Sequence, residues 1–144
     1  MKRFINTQQE KEIINAIKKA ENHTSGEIRV HIESKCEGNI LDRAADVFKQ
    51  LNMDKTEKRN GVLIYLAIES RRFAIIGDEG INELVPDDFW NKTIELMESF
   101  FIKSKFTEGL IAGIEKAGYE LKRFFPAESD DTNELNNNVS FGHE

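Results

Sequence analysis

Cysteine is nearly absent from this 144-residue sequence, where Cys36 stands alone. A single thiol excludes an intrachain disulfide, and among Glu33, Lys35 and Glu37 it has no partner at zinc-site spacing, so it reads as a free thiol. Histidine is scarce too: His23, His31 and His143 lie far apart and show no metalloprotease spacing. No run approaches the roughly 18 apolar residues of a membrane helix. The N-terminal MKRFINTQQEKE turns polar too soon for a signal peptide. Membrane insertion is therefore not expected, and the expected compartment is the cytoplasm. Lysine and arginine stop at Arg123, beyond which Glu128, Asp130, Asp131, Glu134 and Glu144 carry the charge. Of 26 acids those five belong to the tail, which leaves 21 against 20 bases in a nearly neutral body. Such a body lacks the basic surplus that nucleic acid needs, so that partner is excluded. The net charge of -6 reflects the tail.

Several chemical signatures are missing as well. Neither Gly-Lys-Ser nor Gly-Lys-Thr occurs, and GDEG at 77–80 lacks the third glycine and following long helix of a dinucleotide fingerprint. Ser25 beside Glu27 has no nucleophile elbow, which argues against covalent serine catalysis.

What is present has clear periodicity. Thr7 with Glu10 three residues on has the form of a capping box, and Ile13, Ile14, Ile17 and Ala20 continue it as one apolar stripe. GEIRVHIES alternates, with Ile28, Val30 and Ile32 on one face and Arg29, His31 and Glu33 on a wetter one. Leu41, Ala44, Ala45, Phe48 and Leu51 recur at helical spacing. GVLIYLAI, 61–68, is apolar on both faces, as in a strand covered from both sides. The two-residue break Glu69-Ser70 before RRFAIIG permits an antiparallel hairpin and excludes a crossover helix.

Farther along, Pro86-Asp87-Asp88 resembles a helix start, followed by the stripe Trp90, Ile94, Met97, Phe101. Thr107 could cap a last helix whose Leu110, Ile114, Ala117, Leu121 and Phe124 face the core. Gly109, Gly113 and Ala117 at spacings of four predict close backbone packing, since each helical glycine costs about 0.8–1 kcal/mol relative to alanine. The first two strands, joined through a helix, should be parallel, and the whole should form a three-layer α/β/α sandwich with a small mixed sheet. One domain is expected over residues 1–126, with an acidic disordered tail over 127–144.

The remaining chemistry is carboxylate. Glu33, Glu37, Asp42 and Asp46 surround the loop after the first strand, and Asp78, Glu79, Asp87 and Asp88 the loops after the third. Hard cations prefer such oxygen ligands, although capping and turn formation account equally for acids at these places. No EF-hand loop occurs.

Four segments in order, TSGEIRVHIES, RNGVLIYLAIESRRFAIIGDEGI, VPDDFW and FTEGLIAGI, resemble the TPM domain family of plant thylakoid and many bacterial proteins. The likeness runs from Gln8 to Phe125. Ser25-Gly26-Glu27, Asn60-Gly61-Val62-Leu63, Arg71 or Arg72, Gly77, Gly80 and Pro86-Asp87 match its core pattern. The resemblance implies an α/β/α sandwich, binding of divalent cations, calcium in particular, and, from plant members, acid phosphatase activity. Two departures stand out: Asn39 occupies a place where many members carry aspartate, and the anchor segments of many members are missing. The expectation is a monomeric domain that binds calcium or magnesium through Asp42, Asp78 and Asp87 with Glu79 or Asp88, and is at most a weak metal-dependent phosphatase. The topology predicted above sets Asp78 and Asp42 at opposite strand ends, so two clusters are also allowed. The alternative is a non-catalytic module that binds a protein partner, with Leu135, Val139 and Phe141 of the tail as candidate contacts.

Overall fold

A computed structural model describes residues 5–127 and 136–142. Helix α1 (Thr7–Glu21) is capped by Asn6, whose side chain accepts from the Gln9 amide while the Gln9 side chain accepts from the Asn6 amide. The capping box therefore sits one residue earlier than the Thr7 and Glu10 spacing predicts, because Asn6 takes the extended backbone that a cap needs. Strand β1 (Glu27–Glu33) leads into α2 (Ile40–Gln50), which is capped by Asn39 accepting from the Asp42 amide. A short 3-10 turn, Met53–Lys55, precedes the hairpin of β2 (Gly61–Ala67) and β3 (Arg72–Gly77).

Pairing follows the expected scheme. β1 lies parallel to β2, with Glu27 opposite Gly61 and Glu33 opposite Ala67, and β3 returns antiparallel, with Val62 opposite Gly77. One face of the sheet carries Ile28, Val30, Ile32, Val62, Ile64 and Leu66 into the main core, where α1, α4 (Asn91–Phe101) and α5 (Phe106–Leu121) cover them. The other face sets Leu63, Tyr65, Ala67 and Ala74 against Ala44, Val47 and Phe48 of α2. Each aliphatic side chain fully buried in these layers contributes about 1.5–3 kcal/mol. The molecule is an α/β/α sandwich.

Close packing at the α5 glycines is confirmed. A Cβ on Gly109 would lie 2.7 Å from Phe101 Cδ1 and closer still to Cε1, and one on Gly113 2.8 Å from Met97 Cγ, so both glycines admit α4. Other local expectations change. Asp78 caps a four-residue helix α3 (Glu79–Asn82), where the sequence suggested only a turn. Pro86-Asp87-Asp88 forms turns, and α4 begins at Asn91 after Trp90. Thr107 is buried within α5, whose flanking residue Lys105 makes no side-chain cap.

The tail differs most from expectation. Ser140–Phe141 forms β4, parallel to β1 with Ser140 opposite His31 and Phe141 opposite Ile32, so the sheet order is β3-β2-β1-β4. Val139 is buried and Phe141 packs against the main core, apolar burial that residues 127–144 were not expected to provide. Residues 128–135 and 143–144 of that tail, Leu135 included, lie outside the described residues.

Candidate functional site

The wetter face predicted for β1 is closed. His31 and Glu33 are 5% and 4% exposed. Glu33 is buried because four donors meet its four acceptor positions. Arg43 donates Nε to Oε2 and Nη2 to Oε1, both at 2.8 Å. The Tyr65 hydroxyl also donates to Oε2, and His31 Nε2 lies 3.0 Å from Oε1. Burial alone would raise the carboxyl's pKa. The hydrogen bonds from Arg43, Tyr65 and His31 outweigh it and hold the pKa down at about 2.

An ionised carboxylate only accepts, so the proton of neutral His31 sits on Nε2 and leaves Nδ1 as an acceptor. Ser140 Oγ, 2.9 Å away, donates to it. Burial, only partly offset by Glu33, lowers the His31 pKa and favours this neutral ring, which stacks on Tyr65 at 5.8 Å between centroids. Burial likewise raises the Tyr65 phenol, with Glu33 adding to the effect. Ser140, His31 and Glu33 thus stand in the order of nucleophile, base and orienter. Arg43, however, already neutralises the carboxylate that would stabilise an imidazolium, so the chain of bonds serves to dock β4.

The opposite end of the sheet holds a second ion pair. Arg59, in the left-handed region at φ 51°, donates Nε to Asp78 Oδ2 at 2.8 Å and Nη2 to Asp78 Oδ1 at 2.9 Å, and its Nη1 lies 3.0 Å from Glu79 Oε2. Asp78 Oδ1 also accepts from the Glu79 amide at 2.7 Å. Donating these hydrogen bonds to Asp78 raises the Arg59 pKa further. The segment carrying Arg59 presses against α3: the Gly80 amide donates to the Arg59 carbonyl at 2.9 Å, and a Cβ on Gly80 would lie 2.6 Å from that oxygen and closer still to the Lys58 carbonyl. Here glycine serves close backbone approach. Among the described residues no glycine has positive φ.

The five predicted ligands are therefore dispersed. Asp78 and Glu79 sit with Arg59 beside the starts of β1 and β2, since Gly77 pairs with Val62. Asp42 lies beyond the other end of β1, on the first turn of α2. Asp87 and Asp88 are exposed in the turns before α4. Among the described residues no three His, Cys, Asp or Glu side chains gather as a group able to hold a metal ion. Asp42 does line an open groove of about 430 Å³ with Lys35, Cys36, Glu37, Arg43 and Asp46. One wall of that groove is fixed by Arg72, whose Nη1 donates to the carbonyls of Cys36 at 3.1 Å and Gly38 at 2.6 Å.

Sequence reasoning missed the Glu33 network, although Arg43 follows Glu33 by ten residues and Tyr65 is the one polar-tipped residue in an apolar strand. The Ser140 contact had no local signal. Among the described residues no helix is long and apolar enough to cross a membrane.

Comparison with solved structures places this architecture. The NMR structure of the BA42 protein from the psychrophilic bacterium Bizionia argentinensis is 50% identical, with a TM-score of 0.92 and 96% of each chain covered. The N-terminal domain of a protein from P. gingivalis shares the fold at 19% identity and a TM-score of 0.67, covering 85% of this chain and 79% of its own. The N-terminal domain of the cg2496 protein from Corynebacterium glutamicum does so at 15% and 0.64, covering 97% and 81%. No curated protein matches. The TPM domain family model matches residues 1–120, the span that contains β1 to β3, α1 to α4, all of α5 but its last residue and both ion-paired ends of the sheet. The chain belongs to the TPM domain family.

Proposed function

We propose that this TPM domain binds a divalent cation, calcium or magnesium, in the groove beyond β1, with Asp42 as its principal ligand and no catalysis of its own. The observation that carries the reading is a difference between the two ends of the sheet. Asp78 is already paired bidentately with Arg59, which also engages Glu79, and Glu33 has no acceptor position left. Asp42, by contrast, is exposed in a concavity that also exposes Glu37 and Asp46. Glu37 and Asp46 border the groove without gathering with Asp42 as a direct ligand set, so the cation is reached through Asp42 and its own water shell, which magnesium and weak calcium sites favour. Asp87 and Asp88 have no part in this site.

The phosphatase version finds less support. It needs a cation that polarises a phosphoryl oxygen and a nearby cation that steadies developing charge, yet Arg59 is spent on Asp78 at the far end of the sheet. Work in the cytoplasm as a monomer accords with the cation reading.

Amide-resolved NMR titration with calcium and then magnesium tests it. Saturable shifts should centre on residues 35–46, vanish in Asp42→Asn and persist in Asp78→Asn. Shifts centred on residues 77–80, or none at either end, would overturn the proposal.

A further inference from the structure

Residues 139–142 do more than extend the sheet, because every one of them meets a selective feature of β1 and its surroundings. Val139 is 7% exposed, and Phe141 packs against the main core. Between them, on the opposite face, Ser140 Oγ donates to His31 Nδ1. The Gly142 amide donates to the Ile32 carbonyl at 2.8 Å. A Cβ on Gly142 would lie 2.5 Å from Glu33 Cβ and closer still to Oε1, against a carboxylate that Arg43, Tyr65 and His31 hold in place. An apolar residue, a hydroxyl, an aromatic and a glycine are thus each read by position.

The chain between the two anchor points is longer than the span it crosses. Pro126 is bridged to Thr24, and Ser140 pairs with His31, so the two anchor points are seven β-type residues apart, roughly 23 Å. The fourteen residues from Pro126 to Ser140 can reach about 46–50 Å. Only two residues of β4 pair in register.

We propose that the outer edge of β1 is a strand-docking site selective for an extended apolar-serine-aromatic-glycine segment, and that the chain's own residues 139–142 occupy it in cis. Recognition is by strand addition: backbone bonds hold the segment, while alternate side chains are read on the two faces. An intramolecular connection of this length gives an effective concentration on the order of millimolar, so the same segment supplied in trans competes weakly with the intact tail and well once the tail is released. This inference is independent of the cation reading.

The test uses the full chain. Gly142→Pro removes the donor to Ile32 and sets a ring against Glu33, and Phe141→Asp releases the tail without altering β1. Both should shift the amides of Val30 to Glu33 and the His31 ring resonances. The probe is the peptide Asn-Asn-Val-Ser-Phe-Gly-His-Glu, which should restore those resonances in both variants and bind the unmodified chain at least tenfold more weakly. A control peptide with alanine for its glycine should bind the variants at least tenfold more weakly than the probe. The proposal is overturned if the variants keep the docked spectrum, if the probe does not bind them, or if the control binds as well as the probe.

Discussion

Arg43 grips Glu33 with two hydrogen bonds of 2.8 Å, reaching back from the first turn of α2 to the last residue of β1. The pair pins the helix to the strand it follows. It also converts a carboxylate that would be costly to bury into a fixed part of the sheet's second face.

Breaking that pair should therefore be expensive. Glu33→Gln leaves the Arg43 guanidinium without its counter-charge, and a loss of about 3 kcal/mol is expected, read as a lower urea midpoint at unchanged slope. The folded-state pKa lies below the usual 4.5, at about 2. The contribution of Glu33 is therefore complete above pH 4.5 and fades as pH falls toward 2. In Glu33→Gln the acid limb of the stability profile should flatten over that window.

Glu21 behaves in the opposite sense. Its Oε2 accepts from the Ile28 amide at 2.9 Å, and burial first, with Glu27 adding repulsion, raises its pKa from 4.5 to about 7 against the opposing pull of that hydrogen bond. Between those values the folded chain holds a proton that the unfolded chain has lost. Stability from this group is therefore full below pH 4.5 and declines as pH rises through 7. Glu21→Gln keeps an acceptor for Ile28 without the charge. It should raise the thermal midpoint at pH 8 more than at pH 4.5, as followed by circular dichroism.

Two glycines should answer differently to the same methyl group. At Gly80 an added Cβ meets backbone carbonyls of Lys58 and Arg59, which cannot swing aside, whereas at Gly38 it meets nothing within 4 Å. Gly80→Ala is expected to cost about 1–3 kcal/mol and Gly38→Ala to stay within about 0.5 kcal/mol of the parent, both by chemical denaturation. Equal costs would remove the close-approach explanation.

The start of α1 offers a direct contrast. Asn6 carries the cap and Thr7 is the first helical residue. Asn6→Ala should lose about 1 kcal/mol. Thr7→Ala should change little, whereas the reverse order would restore the box to Thr7 and Glu10.

The layers and strand directions were legible because they rest on local pattern: β2 is apolar on both faces, and the short break before β3, Glu69-Ser70 by pattern and four residues in the structure, leaves no room for a crossover. The buried polar face of β1 was not legible. Alternation correctly set Arg29, His31 and Glu33 on one side, but His31 and Glu33 are buried by partners that period cannot reveal, from Arg43 ten residues on to Ser140 at a separation of 109. The acids show the same limit. Asp78 and Glu79 looked like spare ligands until Arg59, across the hairpin, was seen to hold them. Pro86 failed as a helix marker because its residue type fits a turn equally well, and the chain makes turns there before α4.

Finally, the order of the sheet has a consequence for the chain as it is made. β1 is complete once residue 33 is in place, and β2 supplies one neighbour, but the strand that covers its other side is translated after every other element described. Throughout synthesis, then, β1 is an open edge, able to pair with whatever strand it meets. Residues 139–142 close it last, so nascent chains arrested before that point should associate with one another more readily than finished ones, even with the hydrophobic layers already assembled.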